Sequence, residues 1–199
     1  MMTTDNQSKD NRAAKTTATS RTPGQNLDQV VLVDKYDRVI GQADKIEAHR
    51  GSGQLHRAIS VFLFDGGGNL LIQQRSEKKI IAPLKWANTC CGNVRPGEKY
   101  EECAHRRLQE ELGVEVAELK PIGKFQYQFE FDNGFAENEI DVVFVGVYSG
   151  RAVPNPAEVK SCAWMLFDDF RHQLNGKYAP WVEIIFYHEN IYQILTQCQ

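Results

Sequence analysis

Glu137 and Glu139 stand two apart in Glu137-Asn138-Glu139, just ahead of a long apolar run, so strand alternation aims both carboxylates to one side. Upstream, His49 and His56 lie seven apart, in Glu47-Ala48-His49 and Leu55-His56-Arg57-Ala58. Two imidazoles with two carboxylates suit a divalent transition metal, although either histidine alone is more often an ordinary surface or core residue. A second set lies on a helix. Arg107 and Glu111 are four apart and share a face, and Glu98 sits at the helix start, where its charge suits the dipole. Such a helix in isolation reads as a solvated face with ion pairs. Cys91 and Trp181, each taken singly, read as a buried thiol and a core aromatic.

The elements that must position these groups are legible in outline. Asp28–Val33 reads as a strand, followed by a turn at Tyr36-Asp37-Arg38. Ile59–Phe64 and Leu70–Gln74 make a hairpin around Asp65-Gly66-Gly67-Gly68-Asn69. Phe125, Tyr127, Phe129 and Phe131 alternate with polar residues and predict an aromatic sheet face. Ile140–Tyr148 is apolar on both faces and predicts a buried strand; Lys160–Phe167 predicts another. The helix runs over Lys99–Leu112, after Pro96-Gly97 and before Gly113. A last helix is predicted from Pro180 to about Thr196, with Trp181, Ile184, Ile185, Ile191 and Leu195 at helical spacing. Strands and helices mix without a regular βαβ rhythm, which predicts an α/β (α+β) sandwich with a mixed sheet flanked by helices.

The chain has 199 residues with a formal net charge of −3, so no broad basic field attracts nucleic acid or a membrane surface. Five cysteines, an odd number with no C-x-x-C pair, argue against a disulfide framework or a structural zinc site, and point to the cytoplasm. No apolar stretch is long enough to span a bilayer. Residues 1–26 are polar and are expected to form a disordered tail, leaving 27–199 as one domain.

Gly92-Asn93-Val94-Arg95-Pro96-Gly97-Glu98 followed by Arg106-Arg107-Leu108-Gln109-Glu110-Glu111-Leu112-Gly113-Val114 resembles the Nudix box, in which a loop–helix–loop presents carboxylates to divalent metal on a diphosphate. Arg107 stands where Nudix hydrolases carry a metal-binding glutamate; a guanidinium there disfavours metal and favours phosphate. With Leu55–Phe64, Asn88-Thr89-Cys90-Cys91-Gly92, Glu137-Asn138-Glu139 and Pro180-Trp181, the chain resembles the type 1 isopentenyl-diphosphate isomerases of the Nudix superfamily over nearly its whole folded length. That branch carries the arginine.

The resemblance implies a Nudix-type fold and a set of roles. Cys91 and Glu139 would be the two acid/base groups, on opposite faces of the alkene, with Tyr127 hydrogen-bonding near Glu139. Trp181 would face a tertiary carbocation, a contact of about 2 kcal/mol when desolvated. His49, His56, Glu137 and Glu139 would hold one divalent metal (Mn²⁺, Zn²⁺ or Mg²⁺), and Glu111 would help hold Mg²⁺ on the diphosphate. Lys45, Arg75, Lys79 and Arg107 would bind the phosphates, with Lys78 as the alternative to Lys79. The partner implied is a small-molecule diphosphate. One position departs: the family's third histidine ligand, two residues after the cysteine, is Asn93 here. An amide oxygen is a harder and weaker ligand, which predicts weaker metal binding or a shift toward Mg²⁺. Two alternatives stand beside the isomerase. A Nudix diphosphohydrolase would use Glu98, Glu110 and Glu111 as ligands; a non-catalytic diphosphate-binding module would have lost its metal with Asn93.

Overall fold

A computed structural model describes residues 28–198; the proposed tail, residues 1–26, lies outside them. Nine strands form one mixed sheet among the described residues. At its centre is β3 (His56–Phe64), almost wholly buried because both its faces are covered. β8 (Ala136–Val147) runs parallel to the whole length of β3, with His56 opposite Glu139 and Phe64 opposite Val147. β7 (Lys120–Glu130) extends the sheet beyond β8. On the other side of β3 lie β1 (Gln29–Val33), its partner β2 (Val39–Asp44), and the short β6 (Cys90–Asn93). β4 (Asn69–Arg75) meets β3 only at the hairpin end, Phe64 opposite Leu70, then diverges to pair with β5 (Trp86–Ala87) and β9 (Val159–Leu166). That divergence opens the sheet above β3.

Helices cover both faces. α2 (Tyr100–Leu112) buries Cys103, Ala104, Leu108 and Leu112 against Ile59, Val61 and Val142. The Glu102 carboxylate accepts the Lys99 N–H at 2.9 Å at its start. At its end Gly113 takes φ 62°, and the Gly113 and Val114 amides close on Gln109 and Leu108, so a left-handed residue is required there. The opposite face packs Phe62, Phe64 and Tyr127 against α3 (Phe167–His172), α4 (Pro180–Tyr187) and α5 (Glu189–Thr196). α1 (Lys45–Ala48) is a single turn capped by Asp44. No helix is long and apolar enough to cross a membrane among the described residues.

Two expectations are corrected. The helix predicted over 180–196 is two helices, broken at His188 (φ −82°, ψ 90°), whose ring stacks on Phe125 with centroids 4.2 Å apart. Glu137 and Glu139 lie inside β8 rather than ahead of it.

Candidate active site

Register places most of the candidate residues on one face of the sheet. His56, Ala58 and Ser60 alternate along β3. β6 sets Cys91 opposite Ser60 and Asn93 opposite Ala58; β8 sets Glu139 opposite His56 and Asp141 opposite Ala58; β7 sets Tyr127 opposite Glu139. Cys91 and Glu139 therefore stand on strands to either side of β3. A cavity of about 380 Å³ lies over them. It is lined by Cys91, Glu139, Tyr127, Trp181, His49, Glu137 and Asn93, and by the cations Lys45, Arg75, Lys78, Lys79 and Arg107. Two expected residues do not reach its wall: His56 and Glu111 are buried behind it.

His49, His56, Glu137 and Glu139 bring one ligand atom each to within 4.8 Å of one another. His49 Nδ1 lies 2.6 Å from the Lys45 carbonyl and His56 Nδ1 2.7 Å from the Gln54 carbonyl, so both rings donate outward. Each Nε2 then turns a lone pair inward. His49 Nε2 is 3.2 Å from Glu137 Oε2, and His56 Nε2 is 3.3 Å from Glu139 Oε1. With a neutral ring, Glu137 Oε2 is a buried acceptor with no donor. Lone pairs facing lone pairs require a proton or a metal cation between them, and this donor set fits a divalent ion. Burial holds His56 below its usual pKa, in the neutral form a metal needs. Burial raises both carboxyls; His49 pulls Glu137 back down, and the Glu137 charge pushes Glu139 well above the usual range despite the Tyr127 hydroxyl, which donates at 2.6 Å.

Asn93 enters this cluster through its nitrogen. Nδ2 donates to Glu139 Oε1 at 2.9 Å and lies 3.1 Å from His56 Nε2. The amide oxygen expected as a ligand points elsewhere, because the carboxylate and imidazole lone pairs call for a donor.

At the other side of the cavity the cations crowd one another. Lys45 lines the cavity while remaining exposed; desolvation by the packed surroundings, then the charges of Arg107 and Lys79, lower its pKa to about 8. Arg107 reaches this place over Gly92, where a Cβ would stand 2.5 Å from Arg107 Cγ. Its guanidinium bonds Glu158 Oε2 at 2.8 Å, Glu110 at 2.7 Å, and Glu111. Lys79 also bonds Glu158. Burial opposes charge on Glu158, but Arg107 and Lys79 outweigh it and hold its pKa near 2. Glu111 accepts from Gln73 at 2.8 Å and is paired with Arg107. Arg75 stacks over Trp181, 4.9 Å from the ring centroid, with Nε and Nη2 on the Ile81 and Ala82 carbonyls.

Glu98 stands immediately before α2 and is ion-paired there with Arg106. It accepts from the Arg95 amide at 2.9 Å and from Arg106 at 2.6 Å and 2.9 Å. Glu110 is shared by Arg95, Arg106 and Arg107. All three carboxylates that a hydrolase would use are thus ion-paired with arginines.

Residues 54–184 match the NUDIX domain model. An isopentenyl-diphosphate Delta-isomerase of Nocardia farcinica is 44% identical over 157 residues, covering 77% of this chain and 89% of that protein. The chain belongs to the NUDIX family, among its isopentenyl-diphosphate Delta-isomerases. An isopentenyl-diphosphate Delta-isomerase of Pectobacterium atrosepticum is 39% identical, covering 80% of this chain and 90% of its own. Among solved structures, a Deinococcus radiodurans protein superposes with a TM-score of 0.63 at 21% identity, over 85% of this chain and 98% of that one. The NUDIX domain of Shewanella oneidensis NrtR, in complex with ADP ribose, gives 0.54 at 16%, over 71% and 87%. These two show the fold of the family.

Four site residues carried no assigned role in the sequence. Ser60 and Asp141 follow the same alternation as His56 and Glu139, so period two carried four residues past His56 and two past Glu139 would have found them. Asn88 and Glu158 come from loops, and their contacts depend on tertiary packing that no local signal announces.

Proposed function

We propose that the chain interconverts isopentenyl diphosphate and dimethylallyl diphosphate by adding a proton at one carbon and removing one at another. The observation that carries this reading is the shared cavity: Cys91 and the Glu139–Tyr127 pair open into it from strands on either side of β3, with Trp181 between the walls and cations at the far side. Lys45, Lys79 and Arg107 would bind the diphosphate, with Lys78 and Arg75 beside them. Burial, then the Asp141 charge, push the Cys91 thiol up to about 12, so at neutral pH it is a proton donor. In the forward direction it would protonate the terminal alkene carbon, giving a tertiary cation that the Trp181 ring stabilises. Glu139 would take the proton from the carbon next to the oxygen-bearing one, forming the new double bond. The enclosed site protects the cation from water.

His49, His56, Glu137 and Glu139 would hold a divalent metal, Mn²⁺, Zn²⁺ or Mg²⁺. Such a cation would favour ionised Glu139, the form that accepts a proton. Glu111, with the diphosphate itself, would hold Mg²⁺. The unpaired cysteines fit a cytoplasmic enzyme.

The test supplies isopentenyl diphosphate with Mg²⁺, then with added Mn²⁺, and follows dimethylallyl diphosphate and free phosphate. The reading expects the isomer without phosphate, and none in Cys91→Ala. Phosphate release without isomer would contradict it.

A further inference from the structure

Asn88 lies in the two-residue connection between β5 and β6, fully buried and absent from the cavity wall. Its amide is oriented without ambiguity. Nδ2 donates to the Val61 and Cys90 carbonyls, both at 3.0 Å, and these atoms only accept. Oδ1 accepts from the Trp181 indole at 3.2 Å, and an indole N–H only donates. The same oxygen lies 3.2 Å from Cys91 Sγ, which donates to it. The Ser60 hydroxyl, 3.6 Å from the sulfur, gives its own hydrogen to Asp141 Oδ2 at 2.7 Å. One oxygen thus joins a thiol on β6 to a ring on α4, ninety residues further along the chain.

We propose that Asn88 is a positioning residue for the isomerisation, its buried side-chain oxygen fixing the Cys91 thiol and the Trp181 ring relative to each other. This rests on the function proposed above. In that chemistry the proton donor and the cation-stabilising ring must address one five-carbon skeleton at the same moment. They belong to different elements, and α4 is only eight residues long. A shift of about 1 Å between reacting groups costs on the order of 100-fold in rate. An amide locked by two backbone carbonyls is a rigid reference for both.

The test uses the full chain. In Asn88→Ala, kcat should fall about 100-fold while KM for isopentenyl diphosphate changes by less than about threefold. In ¹⁵N-labelled protein the Trp181 indole resonance should move and exchange faster with solvent, while that of Trp164 stays. Combined with Trp181→Phe, the loss should be smaller than the product of the two single losses. Wild-type kcat in Asn88→Ala, or an unmoved Trp181 indole resonance, overturns the proposal. Should Asn88→Ala not fold, the Asn88 side-chain amide resonance is followed in Trp181→Phe and in Cys91→Ala. It should move in both; constancy in either overturns the proposal. The resonances do not depend on turnover. A wild-type protein that makes no dimethylallyl diphosphate therefore sinks the proposed function, and static resonances sink the role of Asn88.

Discussion

Asn93→His should tighten the binding of a transition metal at His49, His56, Glu137 and Glu139. The Asn93 amide nitrogen now donates to Glu139 Oε1 at 2.9 Å and stands 3.1 Å from His56 Nε2. Those are two of the lone pairs that a metal would take, so binding must first displace the amide. A hydrogen bond to a charged group contributes about 1.5–3 kcal/mol, and each 1.4 kcal/mol is about tenfold in affinity. Removing this competition alone is therefore worth roughly 10- to 100-fold. Histidine adds a lone pair of its own. Mn²⁺ affinity measured by competition with a coloured chelator at fixed pH reads the change, with Asn93→Ala beside it to remove the donor without adding a ligand. The expected order is Asn93→His tightest, then Asn93→Ala, then wild type. Equal or weaker affinity in Asn93→His, in a protein that melts where the wild type does, would refute the reasoning.

Glu158→Gln should strengthen the binding of free inorganic pyrophosphate by on the order of tenfold, because Glu158 now occupies Arg107 and Lys79. Calorimetry without metal checks it, and unchanged affinity would contradict the role given to those cations. Gly92→Ala puts a methyl group 2.5 Å from Arg107 Cγ and 2.9 Å from Cδ, so it should push the guanidinium out of the cavity and raise KM about tenfold. A KM like that of the wild type would show that Arg107 does not meet the substrate. Asp37→Asn addresses stability. Burial opposes ionisation of Asp37, but hydrogen bonds from Arg57, Lys124 and Tyr100 outweigh it and hold its pKa below the ordinary 3.8. A depressed native pKa gives stability that is complete above the unfolded value and lost as pH falls through the folded one. Asparagine tolerates the left-handed backbone there (φ 63°). The variant should lose about 1–2 kcal/mol at pH 7, and urea melts should show the gap closing below about 3.8; a gap independent of pH refutes this.

The sheet and the main helix were readable because their signals are local. Apolar runs, with the turn at Asp65–Asn69, located β3 and β8, and Pro96-Gly97 with Gly113 bracketed α2. Period two aims Glu137 and Glu139 to one side, and pairing with β7 sets them opposite Phe129 and Tyr127. What the sequence hides is set by tertiary contact. The break at His188 preserves helical spacing on both sides, so only its stacking on Phe125 reveals it. β2 and β6 carry too few apolar residues to announce themselves. Glu158 meets Arg107 from 51 residues away, a partnership that no spacing rule predicts. Asn93 was readable as a departure, but the end of its amide that faces the cluster depends on which lone pairs surround it.

The reaction run in D₂O tests proton transfer in this cavity most directly. Isopentenyl diphosphate and the metal-loaded protein are followed by NMR, beside Cys91→Ala and Glu139→Gln. Dimethylallyl diphosphate carrying deuterium in one methyl group, formed by the wild type and by neither variant, is the predicted result. Isomer formed by Cys91→Ala at the wild-type rate, or phosphate released in place of isomer, would contradict the assignment of this cavity to proton transfer.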